Sequence, residues 1–238
     1  MSVDTLLAGR LPGRMRDVIE LMQGLETALP REDGVRAFLR LYRAVTEAVD
    51  GAVGAGSAYR DLRFVRWLDV VFANRFFRAL RDDAGRSNSV PRAWAPLFAV
   101  RARPGIAPIQ FALAGMNAHI NRDLPLALVE TWSALGLEPR RDGPQYADFV
   151  RLNAVLEDAE ERVKGEYATG ALGHLDRSLG QLDDVVAMWN VARAREAAWV
   201  NGETLWALRG DPQLRGEYEV MLDRLVGFAG RGLLRPLS

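Results

Sequence analysis

Apolar positions recur every three or four residues along nearly the whole chain, the period of a helix with one buried face. No stretch shows sustained two-residue alternation, and no Asn-Gly or Asp-Gly pair lies between strand-like runs, so an all-α fold is expected. Residues 15–28 carry Val18, Ile19, Met22 and Leu25 at helical spacing, and Pro30 ends the run. Residues 35–53 follow with Phe38, Leu41, Tyr42, Val45 and Val49, stopping in a GAVGAGS loop. In residues 61–84, Leu62, Val65, Phe72, Ala73, Phe76 and Leu80 form one face, and Arg63, Asn74, Arg78 and Arg81 the other. Asp69 lies mid-way along the apolar face, where a carboxylate is costly without a specific partner.

Pro91, Pro96, Pro104 and Pro108 limit the next segment to short helical turns around Trp94 and Phe98. The most apolar stretch, IQFALAGMNAHINRDLPLAL at residues 109–128, then predicts a buried helix over 107–121. Pro125 opposes the carbonyl of Asn121, so a break or kink is expected at 121–124, with Asp123 a candidate N-cap for a second helix to Leu135. Further on, 146–167 carries Phe149, Leu152, Leu156, Ala159 and Val163. Residues 183–209 read as one long helix bearing Trp189, Trp199 and Trp206, and Asp211-Pro212 opens a final one. The expectation is a single-domain bundle of about eight to ten helices around a central buried one, with residues 1–14 a loose leader.

Composition narrows the function. A 238-residue chain that is 49% hydrophobic can bury one sizeable core. Basic and acidic residues balance at 31 each, which gives no global attraction to nucleic acid. Cysteine is absent, excluding disulfides, thiol nucleophiles and thiolate-bound metals. With neither a signal-peptide pattern nor a long apolar segment, a soluble cytoplasmic protein without membrane contact is expected.

The candidate chemistry concentrates at the polar end of the central stretch. Asn117 and Asn121 share one helix face, and His119 and Asp123 share nearly the opposite one. His119 with Asp123 fits a general base oriented by a carboxylate, two metal ligands, or a helix cap beside a hydrogen-bonded core histidine. On the long helix Trp189, Arg193, Glu196, Val200 and Glu203 fall together, so Arg193 and Glu196 should pair or line a pocket, with Arg193 a candidate counter-ion for Asp69 or Asp123. The tryptophans are core or substrate platform. Lys164, the only lysine, lies beside Glu160 and Glu157 and reads as an ordinary ion pair, and His174 as a surface or loop residue.

The HxxxD spacing before a proline resembles the central motif of the zinc-dependent phospholipase C and P1 nuclease family, also all-helical. That family's multi-zinc cluster needs several histidines, and this chain has His119 and His174 and a Met at its N-terminus where that family has Trp. The resemblance leaves room for a single divalent ion on His119, Asp123 and Asp69. A second resemblance spans nearly the whole chain. LDVVFANRFF, VPRAWAPLF, PIQFALAGMNAHINRDLPLALV, DDVVAMWNVARAREAAWVN and GFAGRGLL, in that order, look like a family of uncharacterised, mostly actinobacterial all-α proteins grouped as a domain of unknown function. It implies that Asp69, Asn74, Trp94, Asn117, His119, Asn121, Asp123, Trp189, Arg193 and Trp199 belong to the family's pattern, and that members occur near biosynthetic gene clusters.

These readings lead to three expectations. The first is a cofactor-independent acid/base enzyme acting on a small, mostly apolar biosynthetic intermediate by cyclisation, dehydration or isomerisation. His119, Asp123 and Asp69 would be catalytic, and Asn117, Asn121, Arg193, Glu196, Trp189 and Trp94 would bind substrate. The alternatives are a helical ligand-binding or structural protein with a buried polar network, and a metal-dependent hydrolase. The expected partner is a small molecule, with a homodimer as the expected assembly.

Overall fold

The computed structural model describes residues 1–55, 59–171 and 190–236, and of residues 160–171 the backbone alone. Trp189, His174, the first residues of the helix expected over 183–209 and the side chains of Glu160 and Lys164 therefore lie outside the described residues.

Helix α1 (Val3–Ala8) corrects the expectation of a loose leader. Ser2 caps it by accepting from Thr5 N–H, and Leu7 is buried. Helices α2 (Met15–Ala28) and α3 (Gly34–Gly54) follow the expected stripes, α3 starting at an Asp33 cap that also pairs with Arg101. Helix α4 (Leu62–Ala84) begins at Asp61, whose side chain accepts from Phe64 N–H. Asp148 accepts from Arg60 and Asp61 N–H and so ties this start to α8 (Pro144–Ala171). The proline-rich segment forms only α5 (Ala95–Val100).

Helix α6 (Pro108–Ala118), a π-helical turn (His119–Asp123) and α7 (Leu124–Leu135) form the central rod. Residues 110–118 are all buried, as are 124–129. No break or cap interrupts the rod. Asp123 has helical dihedrals and makes no capping hydrogen bond, and Leu124 N–H reaches back five residues to the His119 carbonyl. The wider turn takes in the proline within a continuous helix, since Pro125 has no N–H to donate and its ring opposes the preceding turn. Gly136, with φ 65°, then ends α7 in the left-handed region.

Around the rod, α3 packs on α6, while α4 and α9 (Val191–Ala207) pack on α7. Gly115 permits the α3 approach, since a Cβ there would lie 2.4 Å from Phe38 Cδ2. Helix α9 starts at Asn190, an extended N-cap whose side chain accepts from Arg193 N–H, so the helix expected from residue 183 does not run through this position. Helix α10 (Pro212–Leu233) begins at Asp211 as expected and lies across α6. Among the described residues there is no strand, and no helix is long and apolar enough to cross a membrane.

Candidate functional site

The π turn decides which polar groups meet. It keeps His119 and Asp123 on one side of the rod, with His119 Nδ1 3.1 Å from Asp123 Oδ2 and both side chains buried. A carboxylate accepts only, so Nδ1 carries the proton and Nε2 holds the lone pair. Trp94 Nε1 donates to Asp123 Oδ2 at 2.9 Å and Arg122 Nη1 to Oδ1 at 2.7 Å. Asp223 of α10 faces Arg122 Nε at 3.4 Å and accepts from Arg92 and Ala93 N–H, fastening the cluster to the turn before α5. Burial alone pushes the Asp123 carboxyl up, but the His119 hydrogen bond and the Arg122 charge outweigh it and hold the group below the ordinary carboxylate range. Desolvation lowers the His119 pKa against the opposing pull of Asp123, so the imidazole is neutral at neutral pH.

The other faces of the ring are aromatic. Phe72 stacks on His119 with centroids 3.6 Å apart, and Tyr42 meets it edge-on at 4.5 Å. His119 Nε2 and the Tyr42 hydroxyl are buried and have no hydrogen-bond partner. Two adjoining cavities lie beside them. The first, ≈30 Å³, is lined by His119, Tyr42, Phe72, Met116, Val191 and Arg195, and the second, ≈50 Å³, extends past Tyr42 and Arg195 to Thr46 and Asp69.

Asp69 is half-buried, and its Oδ2 is buried without a partner. Desolvation, reinforced by Asp50 and opposed by Arg195, pushes its carboxyl up to about 7. Its counter-charge is Arg195, not Arg193. Arg195 lies on the buried stripe of α9 with Val191, Ala198 and Trp199, held by Asn153 Oδ1 at 2.7 Å and the Phe149 carbonyl at 2.8 Å, its guanidinium 4.0 Å over the Phe149 ring. Burial lowers its pKa to about 9, with Asp69 pulling the other way.

Several sequence expectations need correcting. Arg193 is exposed on the outer face of α9. Glu196 pairs at the surface with Arg141 at 2.9 Å and accepts from the Tyr146 hydroxyl, so neither residue reaches His119. The reason is packing: around α9 residues 193 and 196 are offset from Val191 and Arg195, and the face set against α7 and α8 is the one that carries Val191, Arg195, Ala198 and Trp199. Asn117 donates to the Val226 carbonyl and Asn121 to Asn117 Oδ1, so the expected division of faces holds, and this pair binds α10 to the rod. Trp94 joins the cluster through Asp123, not through a ligand-facing ring. Among the described residues no three His, Cys, Asp or Glu side chains converge to hold a metal ion, so His119, Asp123 and Asp69 do not assemble as a ligand set. Arg195, Tyr42 and Phe72 went unnoticed in the sequence as site residues. An arginine in register with Val191, Ala198 and Trp199 was the available signal for the first, whereas Tyr42 and Phe72 look like any other core aromatics.

No curated protein and no solved structure matches the chain. A family model does, over residues 15–236, and the chain therefore belongs to the family of unknown function DUF5995.

Proposed function

We propose that the protein is an acid/base enzyme acting on a small, mostly apolar molecule, with His119 as base and Asp69 as acid. The observation that carries this reading is the unpartnered Nε2 of a neutral, Asp123-oriented His119, beside cavities that also reach Asp69 and its unpartnered Oδ2. His119 would take a proton at Nε2, and Asp123, held ionised by Arg122, would stabilise the imidazolium. A carboxyl titrating near 7 is still partly protonated at neutral pH and can return a proton at the far end of the cavity. Proton abstraction followed by protonation elsewhere on the substrate is the chemistry of isomerisation, dehydration and cyclisation. Arg195 supplies a positive charge for an enolate-like oxygen.

Reaction with diethyl pyrocarbonate, followed by peptide mass spectrometry, tests this reading. A neutral Nε2 reached through the two cavities is expected to be carbethoxylated, more slowly than free imidazole because the ring is buried, and Asp123→Asn is expected to slow the reaction further. A His119 that stays unmodified while the protein remains folded would exclude the catalytic reading.

A second reading, a purely structural network, is favoured by the size of the two cavities, ≈30 and ≈50 Å³, enough for one or two waters. It predicts that protected His119, together with a loss of stability in His119→Gln.

For the assembly, we propose a homodimer through α10. Leu214, Met221, Leu225 and Phe228 form an exposed stripe opposite the buried Leu222, Val226 and Gly230, with Phe228 72% exposed. Antiparallel pairing about Val220 and Met221 sets Leu225 against Gly216 and Glu217 against Arg224, which has no ion-pair partner among the described residues. Sedimentation equilibrium is expected to give a dimer that Leu225→Glu dissociates, and a wild-type monomer at all concentrations would refute it.

A further inference from the structure

A further concavity lies on the opposite, outer side of α4 and owes nothing to His119. Pro12, Gly13, Arg14, Met15 and Arg16 at the entry to α2, Asp50 of α3, and Arg63, Arg66, Trp67, Val70 and Asn74 of α4 enclose a groove of ≈790 Å³, within the size range of small-molecule sites.

Its chemistry is one-sided. The chain as a whole is neutral, yet this groove gathers four arginines against Asp50 alone. Arg14, Arg63 and Arg66 have no ion-pair partner among the described residues, and Arg16 makes only an exposed 3.7 Å contact with Glu20. The first turn of α2 opens here too, and Arg14 at its N-cap provides no side-chain hydrogen bond, so the turn's leading N–H groups are uncapped. Trp67 is 44% exposed, one turn beyond Arg63 and adjacent to Arg66. Val70 and Val71 continue the apolar floor.

Asn74 adds an independent requirement. It is only 8% exposed, and its Nδ2 donates to the Pro12 carbonyl at 2.9 Å, which holds the leader against α4 and shapes the groove. Its Oδ1 is buried with no partner, a cost that a ligand donor would remove.

We infer that this groove binds a planar aromatic oxyanion, a carboxylate or phosphate ester bearing an N–H or O–H donor. The anion lies among Arg14, Arg63, Arg66 and the α2 N-terminus, the ring stacks on Trp67, and the donor reaches Asn74 Oδ1.

The test uses 1-anilinonaphthalene-8-sulfonate as the anionic aromatic probe and N-phenyl-1-naphthylamine as the same ring system without charge, both followed by fluorescence. The wild-type protein is expected to bind the sulfonate more tightly than the neutral probe. Arg63→Gln/Arg66→Gln is expected to weaken the sulfonate by about tenfold or more, which is about 1.4 kcal/mol or more, and leave the neutral probe unchanged. Trp67→Ala weakens both. All three side chains are exposed, so the variants keep the fold, and circular dichroism checks this. Phe228→Ala, on the exposed α10 stripe, is the control and leaves binding unchanged. Displacement by 1-naphthoate or by 1-naphthyl phosphate supports the site and says which oxyanion it prefers. Sulfonate binding that survives both groove variants, that is lost in Phe228→Ala instead, or that neither competitor displaces overturns the proposal.

Discussion

Replacing Asp69 by Asn is expected to stabilise the protein at alkaline pH. In the folded state the carboxyl titrates near 7, against an ordinary value of 3.8. A carboxyl raised in this way binds its proton more tightly folded than unfolded. Its stabilising contribution is complete below pH 4 and is lost as pH rises through 7. Three pKa units at ~1.4 kcal/mol each set a ceiling of about 4 kcal/mol at pH 8. Part of the residue still reaches solvent, which screens the charge, and about 2 kcal/mol is the expected gain. For a chain of this length that is a rise in Tm of about 4–8 °C. Differential scanning calorimetry of wild type and Asp69→Asn at pH 5 and pH 8 reads it directly, with most of the gain at pH 8. A gain equal at both pH values, or a loss at pH 8, would refute the claim that an ionised Asp69 strains the fold. Such a cost fits the acid role proposed for Asp69, because stability is commonly given up where function needs an unsatisfied group.

Three further outcomes follow from the same geometry. Asp123→Asn sets an amide N–H₂ against N–H donors and leaves Arg122 short of its partner, so denaturant unfolding should show a loss of about 3 kcal/mol at pH 7. Because the Asp123 carboxyl is held below its ordinary value, its contribution persists above pH 4 and disappears only on further acidification, and the gap between variant and wild type should close there. His119 acts in another window: its pKa is lowered, so its contribution is complete above 6.5 and is lost as pH falls below it, and Asp69→Asn should expose this slope by removing the opposing one. Gly227→Ala should cost about 1–3 kcal/mol in the same assay, since an added Cβ would lie 2.3 Å from the Arg92 carbonyl oxygen and that backbone is held by Asp223.

Helix identity, the central position of residues 109–128 and the opposed faces of Asn117/Asn121 and His119/Asp123 all follow from local information. A 3.6-residue period and an i, i+4 spacing need no tertiary contact to be legible. Capping at Asp211 is legible for the same reason. What Pro125 does is not local. A proline inside a helical pattern permits a break, a cap or a π turn, and the burial of residues 110–118 and 124–129 on either side selects the π turn, because a break would leave backbone groups unsatisfied in the core. The same limit applies to α9. Its pattern offers either the face of Arg193 and Glu196 or that of Arg195, a choice that only packing against α7 and α8 decides. The placing of the Arg195 charge near Asp69, the ring of Phe72 on His119 and the groove between the leader and α4 join residues far apart in the chain. Local spacing identifies the side chains that are costly to bury, and packing sets which of them meet, because a periodicity specifies a face but not its partner.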